Sequence, residues 1–281
     1  MPSASTKENI HDMGTALVGI SEQDMLVLRE ACEHLEHPSL AARLSNVVGT
    51  PIEVLLNLLP RRWFKGLQGT AERAIVKAMD SALSSMHRPR EISAHQAYYK
   101  ALTAGSGALS GLVGLPGLLV ELPITTTLML RSIAEIARDQ GEDIHSEDTR
   151  NACLEVFALG GRTEMDDAAD TGYYGVRLAL SSYLTLAAAQ AMHQTILTDG
   201  PPTLVLLIQA VAARFGQQLS TRAAARMLPL IGAASGAAIN TIFMQHFQDM
   251  AHGHFSVRRL ERKYGEALVR ANYERIAAEI G

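Results

Sequence analysis

The 281-residue chain is expected to be all-α, a multi-helix bundle with two glycine-rich hydrophobic helices at its centre. Three observations lead there. Apolar residues recur at three- and four-residue spacing, and no stretch alternates apolar and polar residues between hairpin turns. Hydrophobic residues make up 47% and charged residues 19%, the latter below the roughly one quarter typical of soluble domains. Two long apolar runs carry GxxxG pairs, Gly107/Gly111 and Gly232/Gly236, the spacing that lets helices approach closely.

Composition also excludes. A net charge of −4 argues against a sequence-independent grip on nucleic acid. Cys32 and Cys153 stand at no metal or redox spacing, so neither a disulfide framework nor a resident metal or cofactor is expected. Residues 1–20 read as a loose leader without signal-peptide character, and 21–281 as a single helical domain.

The elements follow in order. Ser21 with Asp24 reads as a capping box variant, opening a helix through about Glu36. Pro38 restarts a helix and Pro51 opens "PIEVLLNLLP". Arg61, Arg62, Trp63, Phe64 and Lys65 follow. Cations flanking an aromatic pair suit a membrane–water interface; an ordinary loop with Trp63 tucked into the core is the plainer reading. From Leu67 a helix buries Leu67, Ala71, Ala74, Ile75, Ala78, Met79 and Ala82 on one face. "HRPRE" ends it.

The next run, from near Ala94, holds the stretch on which the chain is organised, Leu109 to Arg138. Between Lys100 and Arg131 its only charge is Glu121, with Pro123 two residues on. A kinked, dry helix carrying a lone carboxylate is expected. The five glycines Gly105, Gly107, Gly111, Gly114 and Gly117 need a reason in a helix, either close helix approach or a loop or hinge before Pro116. The chain resets after Gly141, and Ser146 caps "NACLEVFALGG" with Glu147 and Asp148 near its N-terminus. "GGRTEMDDAADTGYYG" is an acidic joint. Its Asp166–Asp170 run is more simply a solvated helix start than the diphosphate-binding box of an isoprenoid synthase. Then come an uncharged run from Leu178, the turn "DGPP", a helix over "TLVLLIQAVAARFG", and a separate one from Ser220 to Leu228. The second glycine-rich helix is expected to end near Gly253, and a last amphipathic helix to run from Val257 to Ile280. The runs from Ala101, Leu178 and Met227 approach the ~20 residues a membrane span needs. Their Ala, Gly, Ser and Thr content and the mean hydropathy of +0.07 favour a soluble or peripheral protein.

The segments "GLPGLLVELPITTTLMLRSIAEIARDQGED", "CLEVFALGG", "GYYGVR" and "LPLIGAASGAAINTIFMQHFQDMAHGHFSVRRLERKYG" resemble the EcsC protein family, from about Leu112 to Gly265 and outward to near Ala71. The resemblance implies a helical, cytoplasmic or membrane-associated protein, mainly bacterial, of a family named for a gene beside an ABC transporter. It carries no established catalytic set.

Buried charges need partners, so Glu121 and Arg131, ten residues apart, are expected to meet Asn240, Gln245 and His246 from the second glycine-rich helix. Glu121, Arg131, Asn240 and His246 are the candidate ligand-binding residues. His246 and Asp249 could hold a metal with Glu121 or Glu135, but His252 and His254 complete no zinc-binding pattern. The expected function is non-enzymatic: binding lipid or another apolar ligand at the cytoplasmic face of the inner membrane, with a membrane transporter as a further partner. The alternative is a hydrolase acting on a lipid-like substrate, with Glu121 and His246 as acid and base.

Overall fold

Ser21 accepts a hydrogen bond from the backbone N–H of Asp24 at 3.2 Å, and the first helix starts where that cap puts it. The computed structural model describes residues 19–37, 40–86, 96–113, 115–160, 172–191, 202–227 and 233–280. These form helices α1 (Glu22–Glu36), α2 (Leu40–Val48), α3 (Ile52–Leu58), α4 (Arg61–Met86), α5 (Gln96–Gly111), α6 (Leu115–Asp139), α7 (Glu147–Glu155, with a 3₁₀ turn Val156–Ala158), α8 (Tyr173–Ala191), α9 (Pro202–Ala225), α10 (Ala233–Tyr264) and α11 (Glu266–Ile280). No strand occurs among the described residues.

Helix α10 is the axis. At 32 residues it packs against α5, α1, α6, α11 and α2, while α4 packs against both α6 and α9, and α8 leans on α9. The buried apolar side chains join in one cluster running from Leu28 to Ile276. Its densest part is aromatic: Phe157, Phe215, Phe243 and Phe247 meet edge-on or tilted at centroid distances of 4.9 to 6.3 Å.

Some boundaries fall where expected, and others differ. The glycine-rich stretch does break just before Pro116, one of the two expected reasons for its glycines, and forms a hairpin: α5 ends at Gly111 and α6 starts at Leu115. Helix α6 runs on through Pro123, which lies inside it as expected. The helix over "TLVLLIQAVAARFG" does not stop at Gly216. It continues as α9, and Gly216 lies against Gln68 of α4, with room for no more than a tight Cβ contact at 3.2 Å. Helix α10 likewise does not end at Gly253, where a Cβ would stand 2.8 Å from Leu35 Cγ of α1. The break falls at Gly265, which adopts φ +89° after Arg262 and Lys263, an αL helix stop followed by α11. Arg61 to Lys65 form the first turn of α4 rather than a loop. Leu67, Ala71, Ala74, Ile75, Ala78 and Met79 of α4 are buried as expected; the side chain of Ala82 lies outside the described residues.

Most of the expected leader and the whole Asp166–Asp170 run lie outside the described residues. Among the described residues one helix, Pro116–Asp139, is long and apolar enough to cross a bilayer, and 61% of its most apolar window is buried inside the molecule. The runs from Leu178 and Met227 lie partly outside the described residues.

Candidate functional site

Helices α5 and α10 approach closely enough to touch backbones. A Cβ on Gly236 would lie 2.9 Å from Gly111 Cα and would collide with the Gly107 carbonyl. A Cβ on Gly107 would lie 2.5 Å from the Gly236 carbonyl oxygen and inside the Asn240 amide. The missing side chains therefore do two things: they bring the helices together, and they open a slot for Asn240, one turn along α10 from Gly236. Gly117 does the same within the hairpin, where a Cβ would lie 2.5 Å from the Ser110 carbonyl. That leaves α6 pressed on the end of α5, with Glu121 facing inward.

Glu121 is 4% exposed and sits at the centre of a polar cluster. Arg222 Nη2 donates to its Oε1 at 2.5 Å and Arg226 Nη2 to its Oε2 at 2.9 Å. The Ser110 hydroxyl and the Asn240 amide N–H also donate to the carboxylate. Asn240 binds both ways. Its Nδ2 donates to the Thr103 carbonyl at 2.9 Å, and its Oδ1 accepts from Arg226 at 2.8 Å and from Arg222. Arg226 Nη1 donates to Ser110 Oγ at 2.9 Å. Arg222 and Arg226 lie one turn apart near the C-terminal end of α9, where cations also suit the helix dipole.

Burial pushes the Glu121 carboxyl upward, but the two guanidinium groups and the hydrogen bonds from Ser110 and Asn240 outweigh it and hold it below the usual carboxylate range. Burial also pulls the Arg222 guanidinium down to about 10, with Glu121 opposing and Arg226 adding to the fall. Both ions stay charged at neutral pH. Arg222 is fully buried, its guanidinium 5.0 Å from the Phe243 ring centroid.

Of the expected site residues, Glu121 and Asn240 come together. Arg131 does not join them: its charge acts on Tyr99 of α5 and on Glu135, further along α6. Nor does His246. Six residues beyond Asn240, it is about 9 Å further along α10. It is buried, and a Cβ on Gly160 would lie 2.6 Å from its Cε1. Burial lowers its pKa to about 4, against the pull of Asp249. Asp249 accepts instead from Arg43 at 2.9 Å and Gln245 at 2.5 Å. Trp63 is half-buried and packed against the core; the side chains of Arg61, Arg62, Phe64 and Lys65 lie outside the described residues.

The residues missed were Arg222 and Arg226. "STRAAAR" places two arginines four apart on a helix otherwise apolar or small, and that face could have been read as buried. A second buried cluster was also missed. Tyr173 Oη lies 3.0 Å from His254 Nδ1, and Glu155 Oε2 lies 3.9 Å from His254 Nε2. Burial raises the Glu155 carboxyl from 4.5 to about 7 and holds His254 well below 6.5. The raised carboxyl favours the folded state fully below pH 4.5, and that contribution is lost as pH rises through about 7. Glu155→Gln should therefore stabilise the protein at pH 8 by on the order of 2–3 kcal/mol relative to its effect at pH 4, read by urea denaturation at both values.

A family model described as the EcsC protein family matches residues 39–260 of the 281-residue chain. No curated protein and no solved structure matches.

Proposed function

Since the chain belongs to the EcsC protein family, and family membership brings no chemistry of its own, we propose from its surface and site that it is a non-enzymatic peripheral protein of the cytoplasmic membrane face, which seats the α5–α6 hairpin end in the lipid interface. One observation carries this reading. Leu109 and Val120 are 74% and 78% exposed, and Leu102, Leu112, Val113 and Ile124 are exposed beside them in the chain. The only charge between Lys100 and Arg131 is Glu121, which points inward. The outer surface of the hairpin end is thus apolar and uncharged. Soluble proteins rarely leave such a patch open without a binding role, and an apolar face in the interface plane is how peripheral helices hold to bilayers.

The hydrolase alternative draws less support. Glu121 is held ionised by two guanidinium groups, so it is poorly placed to shuttle a proton near neutral pH. His246, its expected partner, stands apart.

Co-sedimentation with vesicles of phosphatidylglycerol and phosphatidylcholine tests the proposal. The wild type should pellet, and the double variant Leu109→Asp with Val120→Asp should lose at least about ten-fold in affinity, with helical content unchanged by circular dichroism. No pelleting of the wild type, or equal pelleting of the variant, would overturn it.

A further inference from the structure

The Glu121 cluster does not balance. It holds two guanidinium cations and one carboxylate, all nearly or wholly buried. Among the described residues no second anion meets either arginine. Three of their buried N–H groups, on Arg222 Nε, Arg222 Nη1 and Arg226 Nε, donate to no acceptor there. An interior cation without a counter-charge is strongly unfavourable, and most buried donors in folded proteins are satisfied. One positive charge in excess and three unused donors are together the complement of a small monovalent oxyanion.

We propose that Arg222 and Arg226 form a binding site for a phosphodiester. A phosphodiester carries a single negative charge at neutral pH, matching the excess. Its two non-bridging oxygens can accept from two guanidinium groups one helical turn apart, as the Glu121 carboxylate does from the other side of the forks. The position fits a lipid headgroup. Ser110, which accepts from Arg226, and Glu121 are the sequence neighbours of Leu109 and Val120, the two most exposed large apolar residues described at the hairpin end. The charged cluster thus lies directly behind the surface assigned to the bilayer. This inference rests on the membrane reading for the source of the phosphodiester, but not for the site itself.

The test uses the full chain in solution, with dimethyl phosphate as the probe. Dimethyl phosphate should raise the melting temperature by several degrees over sodium chloride or sodium acetate of equal ionic strength, and its phosphorus resonance should broaden on adding protein. Arg226→Gln, which removes the excess charge and leaves Arg222 with Glu121, should abolish both effects. Arg226→Lys, which keeps the charge but not the fork, should weaken both and serves where the glutamine variant does not fold. Phosphatidylglycerol vesicles should reverse the broadening; broadening that survives them overturns the lipid source. Equal melting temperatures in all three salts with an unbroadened line, or effects that persist undiminished in both arginine variants, overturn the site. These results are separable from the vesicle assay, since Leu109→Asp with Val120→Asp leaves both arginines in place.

Discussion

Glu121→Ala is expected to cost about 3–5 kcal/mol of folding stability, the range for removing one partner of a buried ion pair. The reason lies in what remains. Arg222 and Arg226 would face each other in the interior with no carboxylate between them, and Ser110 and Asn240 would each lose one acceptor. Glu121→Gln should fall in the same range, because an amide fills the space but brings no charge and sets its own N–H groups among donors. Urea denaturation followed by circular dichroism at pH 7 measures both. The pH dependence gives a second signature. The folded-state pKa lies below the unfolded value of 4.5, so the contribution of Glu121 is present above pH 4.5 and is lost as pH falls through the lower, folded value. The acid limb of the stability curve should be flatter in Glu121→Gln than in the wild type. A glutamine variant that melts with the wild type would mean that the cluster contributes nothing to the fold.

Gly236→Ala should be nearly as damaging, at about 3 kcal/mol or more, the upper part of the range for overpacking. The new methyl group would meet the Gly107 carbonyl and Gly111 Cα, backbone atoms that cannot rotate aside. The α5–α10 pair would have to separate, and Asn240 would be drawn from the cluster. A control lies two residues from Gly107. Nothing stands within 4 Å of a Cβ on Gly105, so Gly105→Ala should gain up to about 1 kcal/mol from helix propensity alone. Opposite signs from two glycines of one run would show that close approach, not glycine content, is what the fold requires. Thermal melts of the two single variants against the wild type decide it.

The legible part of this protein was local. Ser21 and Ser146 cap helices because a hydroxyl in that place answers N–H groups three residues on, and Gly141 takes φ +80° at the end of α6. The buried face of α4 follows from the spacing of its apolar residues, which a helix of fixed pitch must place on one side. Glu121 stood out because no other charge lies near it in the chain. The Gly107/Gly111 pair was readable as a contact surface, though its partner was only half visible.

Whatever depended on contacts between distant segments was not legible. Glycine is a weak stop signal, and at Gly216 and Gly253 packing against Gln68 and Leu35 kept the helices running, while Gly265, behind two cations, was a real stop. Arg131 is the cation nearest to Glu121 in the chain, yet the carboxylate is answered from 101 and 105 residues away by Arg222 and Arg226. Sequence alone determined that the chain is helical, which faces are apolar, and that a carboxylate is stranded in an uncharged run. Only the tertiary structure decided which charges answer it, because hydrogen bonding and Coulomb attraction act through space, and the glycine-to-glycine crossing of α5 and α10 sets which groups share that space.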